Sequence, residues 1–274
     1  MKETEITIYD HNIWGNMPGM STISNRNALI GELISYHDAD FVSFQECNPK
    51  TSRDGDVDIE AVLTPEYKEV KTEAGRLNFT PIFYKENRFT VIESGFLAYP
   101  GLNDLDSKSL TYAVFEENET KVRVGIISTH FWWMARGEND NLQRIDNARV
   151  LLENIKRIKD KYDIPVFAMG DLNCGLYSDQ GEEPYLFLKE ELLDVREIAP
   201  VSTDTLTHHD YPTRDENGIY TAEGRCEPAR TLDHVFVTEH KNVAIDSFEV
   251  DVSDDAYASS DHFPLITHAR VFGE

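Results

Sequence analysis

Cysteine is scarce in this chain: Cys47, Cys174 and Cys226 are the only three among 274 residues. Three thiols cannot build a disulfide framework, and they show none of the paired spacings of a zinc site. Long apolar runs are missing too, since no stretch approaches the roughly 18 residues that a membrane span needs. Met1-Lys2-Glu3-Thr4-Glu5 leads straight into Ile6-Thr7-Ile8-Tyr9 without an apolar leader. Reduced thiols in the cytoplasm are the expectation, and a secreted form would require a leader already removed. Basic residues are few: 26 Lys and Arg face 50 Asp and Glu, a formal charge of −24. Such a surface repels polyanions and anionic membranes unless a local patch or bound cations reverse the field. There is also no internal repeat, low-complexity tract or linker-like change of composition. With 40% hydrophobic and 11% aromatic residues, the chain has ample material for a core. Residues 1–274 are expected to form one domain.

What is present is a recurring pattern: a short apolar strand that ends in a polar group. The clearest case is Ile164-Pro165-Val166-Phe167-Ala168, which reads as a buried strand leading into Met169-Gly170-Asp171-Leu172-Asn173. Gly170 permits a sharp bend there, so Asp171 and Asn173 emerge where strand becomes loop. The same pattern places Asn12 after Ile6–Tyr9, Gln45-Glu46 after Phe41-Val42-Ser43-Phe44, and His130 after Val122–Thr129. A carboxylate directly after an apolar strand carries a desolvation cost unless a cation or basic partner compensates it. Taken singly, each has an ordinary reading as well. Gly, Asp and Asn form turns, histidine caps sheets, and a loop Glu is solvated.

Helical periodicity follows Ser24, with Leu29, Ile30, Leu33 and Ile34 on one face, and recurs over Asn141–Lys161. The second stripe, Leu142, Ile145, Ala148, Leu151, Ile155 and Ile158, predicts an amphipathic helix packed on a sheet. Arg144 and Arg149 lie off that stripe and are expected in solvent. A short helix is predicted around Ile59–Leu63, and short helices again over Pro184–Ile198. The segment Thr207–Arg230 carries His208, His209, Tyr211 and Arg214 and has no clear period. It reads as an active-site loop or a hairpin without strand signals. Leu232-Asp233-His234 opens a further strand, and Ser259-Ser260-Asp261-His262-Phe263-Pro264-Leu265 precedes the last one.

Gathered at one rim, these groups suit one kind of chemistry. The hard oxygen donors Glu46, Asp261 and Asn12 fit Mg²⁺ or Mn²⁺, not zinc. Asp171 is placed to accept a proton from water, and two histidines to bind or protonate phosphate oxygens. An Asp233–His262 pair would fix the imidazole tautomer and raise its pKa.

The ordered set Asn12-Ile13-Trp14, Gln45-Glu46, Thr129-His130, Gly170-Asp171-Leu172-Asn173, Leu232-Asp233-His234 and Ser260-Asp261-His262-Phe263-Pro264-Leu265 resembles the endonuclease/exonuclease/phosphatase superfamily. Its members include pancreatic deoxyribonuclease, abasic-site endonucleases, sphingomyelinases, inositol-phosphate phosphatases and deadenylases. Each short motif is common by itself; six in this order, from residue 12 to 265, are not. The resemblance implies an α+β fold, a four-layer sandwich of two mainly antiparallel sheets face to face with helices outside. It also implies phosphoester hydrolysis by in-line attack of water. Glu46 would be the principal ligand of Mg²⁺ or Mn²⁺, with Asn12 and Asp261 beside it. Asp171 would orient or deprotonate the water, and Asn173 would hold the water or the phosphate. His130 and His262 would contact phosphate oxygens, with Asp233 behind His262. One departure stands out: a family Glu that supports the histidine at position 130 is replaced here by Asn78.

Two function classes follow. One is a metal-dependent phosphodiesterase or phosphatase on a small or lipid-derived ester, with an endo- or exonuclease as the alternative. The other is a catalytically silent binding module, which would be expected to lose the base or the metal Glu. Both are retained, which favours the enzyme. Candidate substrate contacts are Arg214, Arg230, His208 and Trp132, with Trp133 and Tyr211 as further stacking aromatics. A nucleic-acid polymer is disfavoured because its phosphates call for matching Lys and Arg. Asp54, Asp56 and Asp58 face only Lys50 and Arg53, and Asp254, Asp255 and Asp261 have no basic neighbour in sequence.

Overall fold

The computed structural model describes residues 2–15, 25–48, 59–73, 77–175, 181–203, 205–209 and 211–273. Ser24 and the acidic loop Asp54–Asp58 lie outside the described residues. The first elements are β1 (Lys2–Asn12), α1 (Arg26–Tyr36), β2 (Phe41–Gln45), α2 (Ile59–Leu63), β3 (Tyr67–Glu69) and β4 (Ile82–Lys85). Next come β5 (Phe89–Ala98), β6 (Ser109–Glu117), β7 (Arg123–His130), α3 (Glu138–Tyr162) and β8 (Val166–Asp171). They are followed by α4 (Glu183–Lys189), β9 (Leu193–Asp194), α5 (Val195–Ile198), β10 (Thr213–Arg214) and β11 (Tyr220–Thr221). The chain closes with β12 (Asp233–Val237), β13 (Val243–Val250), α6 (Asp254–Ser259) and β14 (Leu265–Gly273). The segment Thr207–Arg230 thus holds a small hairpin, β10–β11, whose two-residue strands are too short to show a period.

Two six-stranded sheets pack face to face, in the orders β13-β14-β1-β2-β4-β3 and β5-β6-β7-β8-β12-β9. With helices outside, this is the four-layer α/β sandwich of the deoxyribonuclease I-like fold. Both sheets are mainly antiparallel, and each contains one parallel pair, β1–β2 in one and β7–β8 in the other. Those pairs explain the continuous apolar runs, because central strands are covered on both faces. Along β7 and β8 the side chains alternate between two cores. Ile126, Phe167 and Met169 enter the layer between the sheets. Ile127, Val166 and Ala168 meet Ala148, Leu151, Ile155 and Ile158 of α3 on the outside. Burying each of the Val, Leu and Ile side chains among them contributes roughly 1.5–3 kcal/mol. The predicted α3 stripe holds over its later turns and fails at its start, where Leu142 is exposed. Gln143, Arg144 and Asn147 are buried there instead.

Register does the positioning. Parallel pairing puts Asn12 beside Gln45 and His130 beside Asp171, so the strand ends carrying these groups lie at one rim. Antiparallel β12 runs back from that rim and sets Asp233 opposite Asp171. Antiparallel β6 likewise begins there, with Ser109 opposite His130. β14 starts at Leu265, opposite Asp10, which brings the preceding Asp261 and His262 to the same edge. No helix among the described residues is long and apolar enough to cross a membrane.

Candidate active site

Three strand ends, those of β1, β2 and β8, turn outward through unusual backbone. Gly170 has φ +144°, and a Cβ there would lie 1.9 Å from the Thr129 carbonyl oxygen, so no other residue fits without moving β7. Trp14, Glu46 and Asn173 adopt the left-handed region at φ +49°, +54° and +49°. Each such non-glycine conformation costs on the order of 1 kcal/mol and persists only where its surroundings fix it.

Asp171 is the hub. Its Oδ2 accepts a hydrogen bond from Asn12 Nδ2 at 2.9 Å and lies 3.3 Å from His130 Nε2 and 4.0 Å from His262 Nε2. Its Oδ1 accepts from the Asn173 backbone N–H at 2.8 Å. Burial alone would raise its pKa, but His130, His262 and the Asn173 N–H hold this carboxyl well below the usual range. It is therefore an anion, better suited to orienting a water than to taking its proton outright. Asn12 stands beside Glu46. It turns its amide nitrogen toward the acids, 3.4 Å from Glu46 Oε1, while its Oδ1 accepts from Trp14 N–H.

His262 Nδ1 is 2.8 Å from Asp233 Oδ2, and the Thr207 hydroxyl donates to the same oxygen at 2.6 Å. Burial disfavours the imidazolium, but the Asp233 and Asp261 carboxylates outweigh it and raise the pKa well above the ordinary histidine value. A charged His262 is the consequence. His130 behaves differently. It is wholly buried, and burial together with the neighbouring Lys108 ammonium lowers its pKa. Lys108 Nζ sits 2.9 Å from His130 Nε2 and 3.3 Å from Nδ1. Asn78 makes no contact of that kind: its Oδ1 accepts from Thr80 N–H and from the Thr80 and Thr111 hydroxyls.

Acidic and histidine donors gather in groups able to hold a metal. Glu46, His130 and Asp171 bring one donor atom each within 4.8 Å of one another, as do His208, Asp261 and His262. Burial and the nearby Glu46 push the Asp261 carboxyl up to about 7. Glu46 and Asp261 both line the cleft, and carboxylate oxygens there suit a hard cation. The residues fit a divalent ion. His208, edge-on to His262 at 4.6 Å, is held near pKa 3, first by burial and then by His262.

These groups open into a cleft of about 920 Å³ lined also by Trp14, Trp133, Tyr211, Arg136 and Arg230. Trp14 and Tyr211 stack with ring centroids 4.7 Å apart. Two expected substrate contacts lie elsewhere. Trp132 is buried, its indole N–H donating to Asp140 Oδ1 at 2.6 Å, and the neighbouring Trp133 faces the cleft. Arg214 bonds the Tyr220 hydroxyl and lies over that ring, outside the cleft lining. Arg144 corrects a further expectation: it is buried and donates to the carbonyls of Trp132 and Met134, pinning the loop that carries Trp133. Asp254 is not without a base, since Arg225 lies 3.2 Å away. Lys108 and Arg136 were missed by pattern reading. A strand beginning opposite His130 is the signal that would have found Lys108, and it needs the register.

The endonuclease/exonuclease/phosphatase family model matches residues 11–262. No curated protein sequence matches the chain. Among solved structures, a family protein from Bacteroides thetaiotaomicron superposes with a TM-score of 0.76 at 18% identity, over 99% of this chain and 96% of that one. A mannosyl-6-phosphatase of Bacteroides thetaiotaomicron gives 0.74 at 19%, covering 97% and 100%. D. rerio TDP2 in complex with a single-strand DNA product gives 0.67 at 16%, covering 97% and 99%. At such identities the structural likeness concerns the fold.

Proposed function

Because the chain belongs to the endonuclease/exonuclease/phosphatase family, we propose that it is a divalent-metal-dependent hydrolase of small phosphate esters. The observation that carries this reading is the hub at Asp171, a buried carboxylate within 4.0 Å of two histidines, one of them paired to Asp233 at 2.8 Å. Mg²⁺ or Mn²⁺ bound by Glu46 and Asp261 would supply Lewis-acid neutralisation of the phosphate. Asn12 keeps Glu46 and Asp171 together by donating between them. Asp171 and Asn173 orient the water in line with the scissile bond. The His262 imidazolium, held by Asp233, donates to a phosphate oxygen and then to the departing alkoxide. The water oxygen bonds to phosphorus as the phosphorus–ester oxygen bond breaks, and the ester oxygen leaves with the His262 proton. The proton shed by the water stays on the phosphate product and passes to solvent, since Asp171 orients the water as an anion. His130 is screened from the cleft by Lys108, so direct contact with phosphate falls to Lys108 and His262.

Substrate size follows from charge and shape. The cations of the cleft are Lys108, Arg136, Arg230 and the His262 imidazolium, against Glu46, Asp104, Asp171 and Asp261. That set meets one phosphate, not a polymer spanning many. Trp14, Tyr211 and Trp133 offer faces to a ring-shaped leaving group, a sugar or a base. The mannosyl-6-phosphatase and TDP2 neighbours mark the two ends of that range, and the −24 charge favours the small-ester end.

Hydrolysis of bis-p-nitrophenyl phosphate and of a sugar-phosphate panel, with EDTA and then with Mg²⁺ or Mn²⁺ restored, tests the proposal. Activity is expected to vanish in chelator and return with metal. Full activity in EDTA, or unchanged turnover in Asp171→Ala, would refute it. Efficient degradation of plasmid or single-stranded DNA at physiological salt would move the assignment to a nuclease.

A further inference from the structure

We propose that Arg26 is a positioning residue of the active site. Its guanidinium ties the end of β1, which carries Asn12 and Trp14, to the end of α6, just ahead of Asp261 and His262, and it seats Trp14 in the cleft wall. This rests on the phosphoester-hydrolase reading above and adds to it the residue that keeps the catalytic edge and the leaving-group wall in register.

Arg26 opens α1 and is only 3% exposed. Its guanidinium turns inward and donates to backbone on two other elements. Nε donates to the Ser259 carbonyl at 2.5 Å, one Nη to the Ile13 carbonyl, and the other Nη to the Trp14 carbonyl at 3.4 Å. Ser259 closes α6 and leads directly into Ser260-Asp261-His262. The Ser260 hydroxyl donates to the Asn12 carbonyl at 2.6 Å. The successive carbonyls of Asn12, Ile13 and Trp14 are thus held by Ser260 and Arg26 together. A planar fork of five N–H donors spans carbonyls on two elements; a lysine ammonium, a single point on a flexible stem, does not.

The same fork fixes Trp14. That residue sits in the left-handed region at φ +49°, and Arg26 grips the carbonyls on both sides of its Cα. A strained backbone of this kind persists only where its surroundings hold it. Arg26 Cζ also lies over the indole, 5.1 Å from its centroid, and 5.6 Å from the Tyr220 ring. Burial lowers the guanidinium pKa to about 10, opposed by Tyr220, Asp261 and Glu46, so it remains a cation at neutral pH. Trp14 in turn stacks on Tyr211 at 4.7 Å and meets Tyr220 edge-on at 6.2 Å. Asn25, beside Arg26, makes no capping bond to α1. Its side chain donates to the Tyr220 carbonyl at 3.0 Å and accepts from the Tyr220 N–H at 3.1 Å. The start of α1 therefore holds β11 and the β1 end at once, and Tyr211, an exposed ring of the cleft, rests on Trp14.

A double-variant cycle of Arg26→Met and Trp14→Leu in the full chain, with kcat and KM measured separately on bis-p-nitrophenyl phosphate, provides the test. In Arg26→Met, kcat is expected to fall about 10²-fold, as a misplacement near 1 Å implies. KM is expected to rise about fivefold, as the loss of one aromatic contact implies. Trp14→Leu should raise KM by the same factor, and adding Arg26→Met to it should lower kcat without raising KM again. Arg26→Lys, which keeps the charge and loses the fork, should behave as Arg26→Met does. Wild-type kinetics in a folded Arg26→Met or in Arg26→Lys would overturn the inference. So would a fall in kcat with KM unmoved, the mark of a smaller active fraction, or a second fivefold rise of KM in the double variant. Each of these leaves the hydrolase reading standing, whereas a wild type inert on every ester with Mg²⁺ or Mn²⁺ would overturn both. Should Arg26→Met fail to fold, Arg26→Lys takes its place in the cycle, and an unmoved KM in Trp14→Leu remains decisive against the proposal.

Discussion

Replacing Asp233 with asparagine separates shape from charge at the pair behind His262. The atoms concerned are 2.8 Å apart, and both residues are buried. At an effective dielectric of about 20, unit charges at that distance attract by roughly 6 kcal/mol. Desolvation returns part of this, and breaking one side of a buried pair costs about 3–5 kcal/mol. Asparagine retains an oxygen to accept from His262 Nδ1–H, but it cannot balance an imidazolium. The expected loss of stability is about 3 kcal/mol, a fall in Tm on the order of 6–12 °C for a chain of this size. The pH dependence has a definite sign. His262 has a folded pKa raised above its unfolded value, about 6.5. The stability from the pair is therefore fully present below about pH 6.5 and is lost as pH rises through the folded value. The difference in Tm between wild type and Asp233→Asn should be largest at pH 6 and shrink toward alkaline pH. Turnover should fall about 10²-fold or more, since His262 loses the charge it donates from. Melting curves from pH 6 to 9 and steady-state rates on bis-p-nitrophenyl phosphate provide the check. A variant within threefold of wild-type turnover, with an unchanged melting profile, would refute the reasoning.

Gly170→Ala should leave little folded protein, because its Cβ would lie 1.9 Å from backbone in β7; a Tm within a few degrees of wild type would count against that reading. The adjacent tryptophans should part company. Trp132→Ala should cost about 3–5 kcal/mol of stability through cavity and lost hydrogen bond, whereas Trp133→Ala should leave Tm unchanged and raise KM, as thermal melts and kinetics can compare. Burial pushes the Asp10 carboxyl up to about 8, against an unfolded value of about 3.9. Its contribution to stability is full below about pH 4 and lost as pH rises through about 8. Asp10→Asn should therefore flatten the alkaline decline and be the more stable protein at pH 9 in urea titrations, and an unaltered decline would exclude Asp10 as its source.

The groups that were legible in sequence are those whose surroundings are local. Asp171 ends a strand whose every residue is buried, and such a strand announces itself as an apolar run. Parallel pairing then forces the ends of β1, β2, β7 and β8 to one rim, so a strand-end reading becomes a site reading. Two residues that escaped, Arg26 and Lys108, are buried cations whose partners are remote. Arg26 donates to the carbonyls of Ile13 and Ser259, 13 and 233 positions away. Lys108 meets His130, 22 positions on. Hydropathy scores such residues as surface, because the atoms that compensate their charge come from other elements. Trp132 and Trp133 carry this furthest. Two identical neighbours differ in role because Asn147 accepts from Trp132 N–H and Arg144 donates to the carbonyls of Trp132 and Met134. Polar side chains in the first turns of α3 thereby decide which indole is core and which faces the cleft. The wall offered to a leaving group is set by those hydrogen bonds, on the part of the helix where the apolar stripe fails.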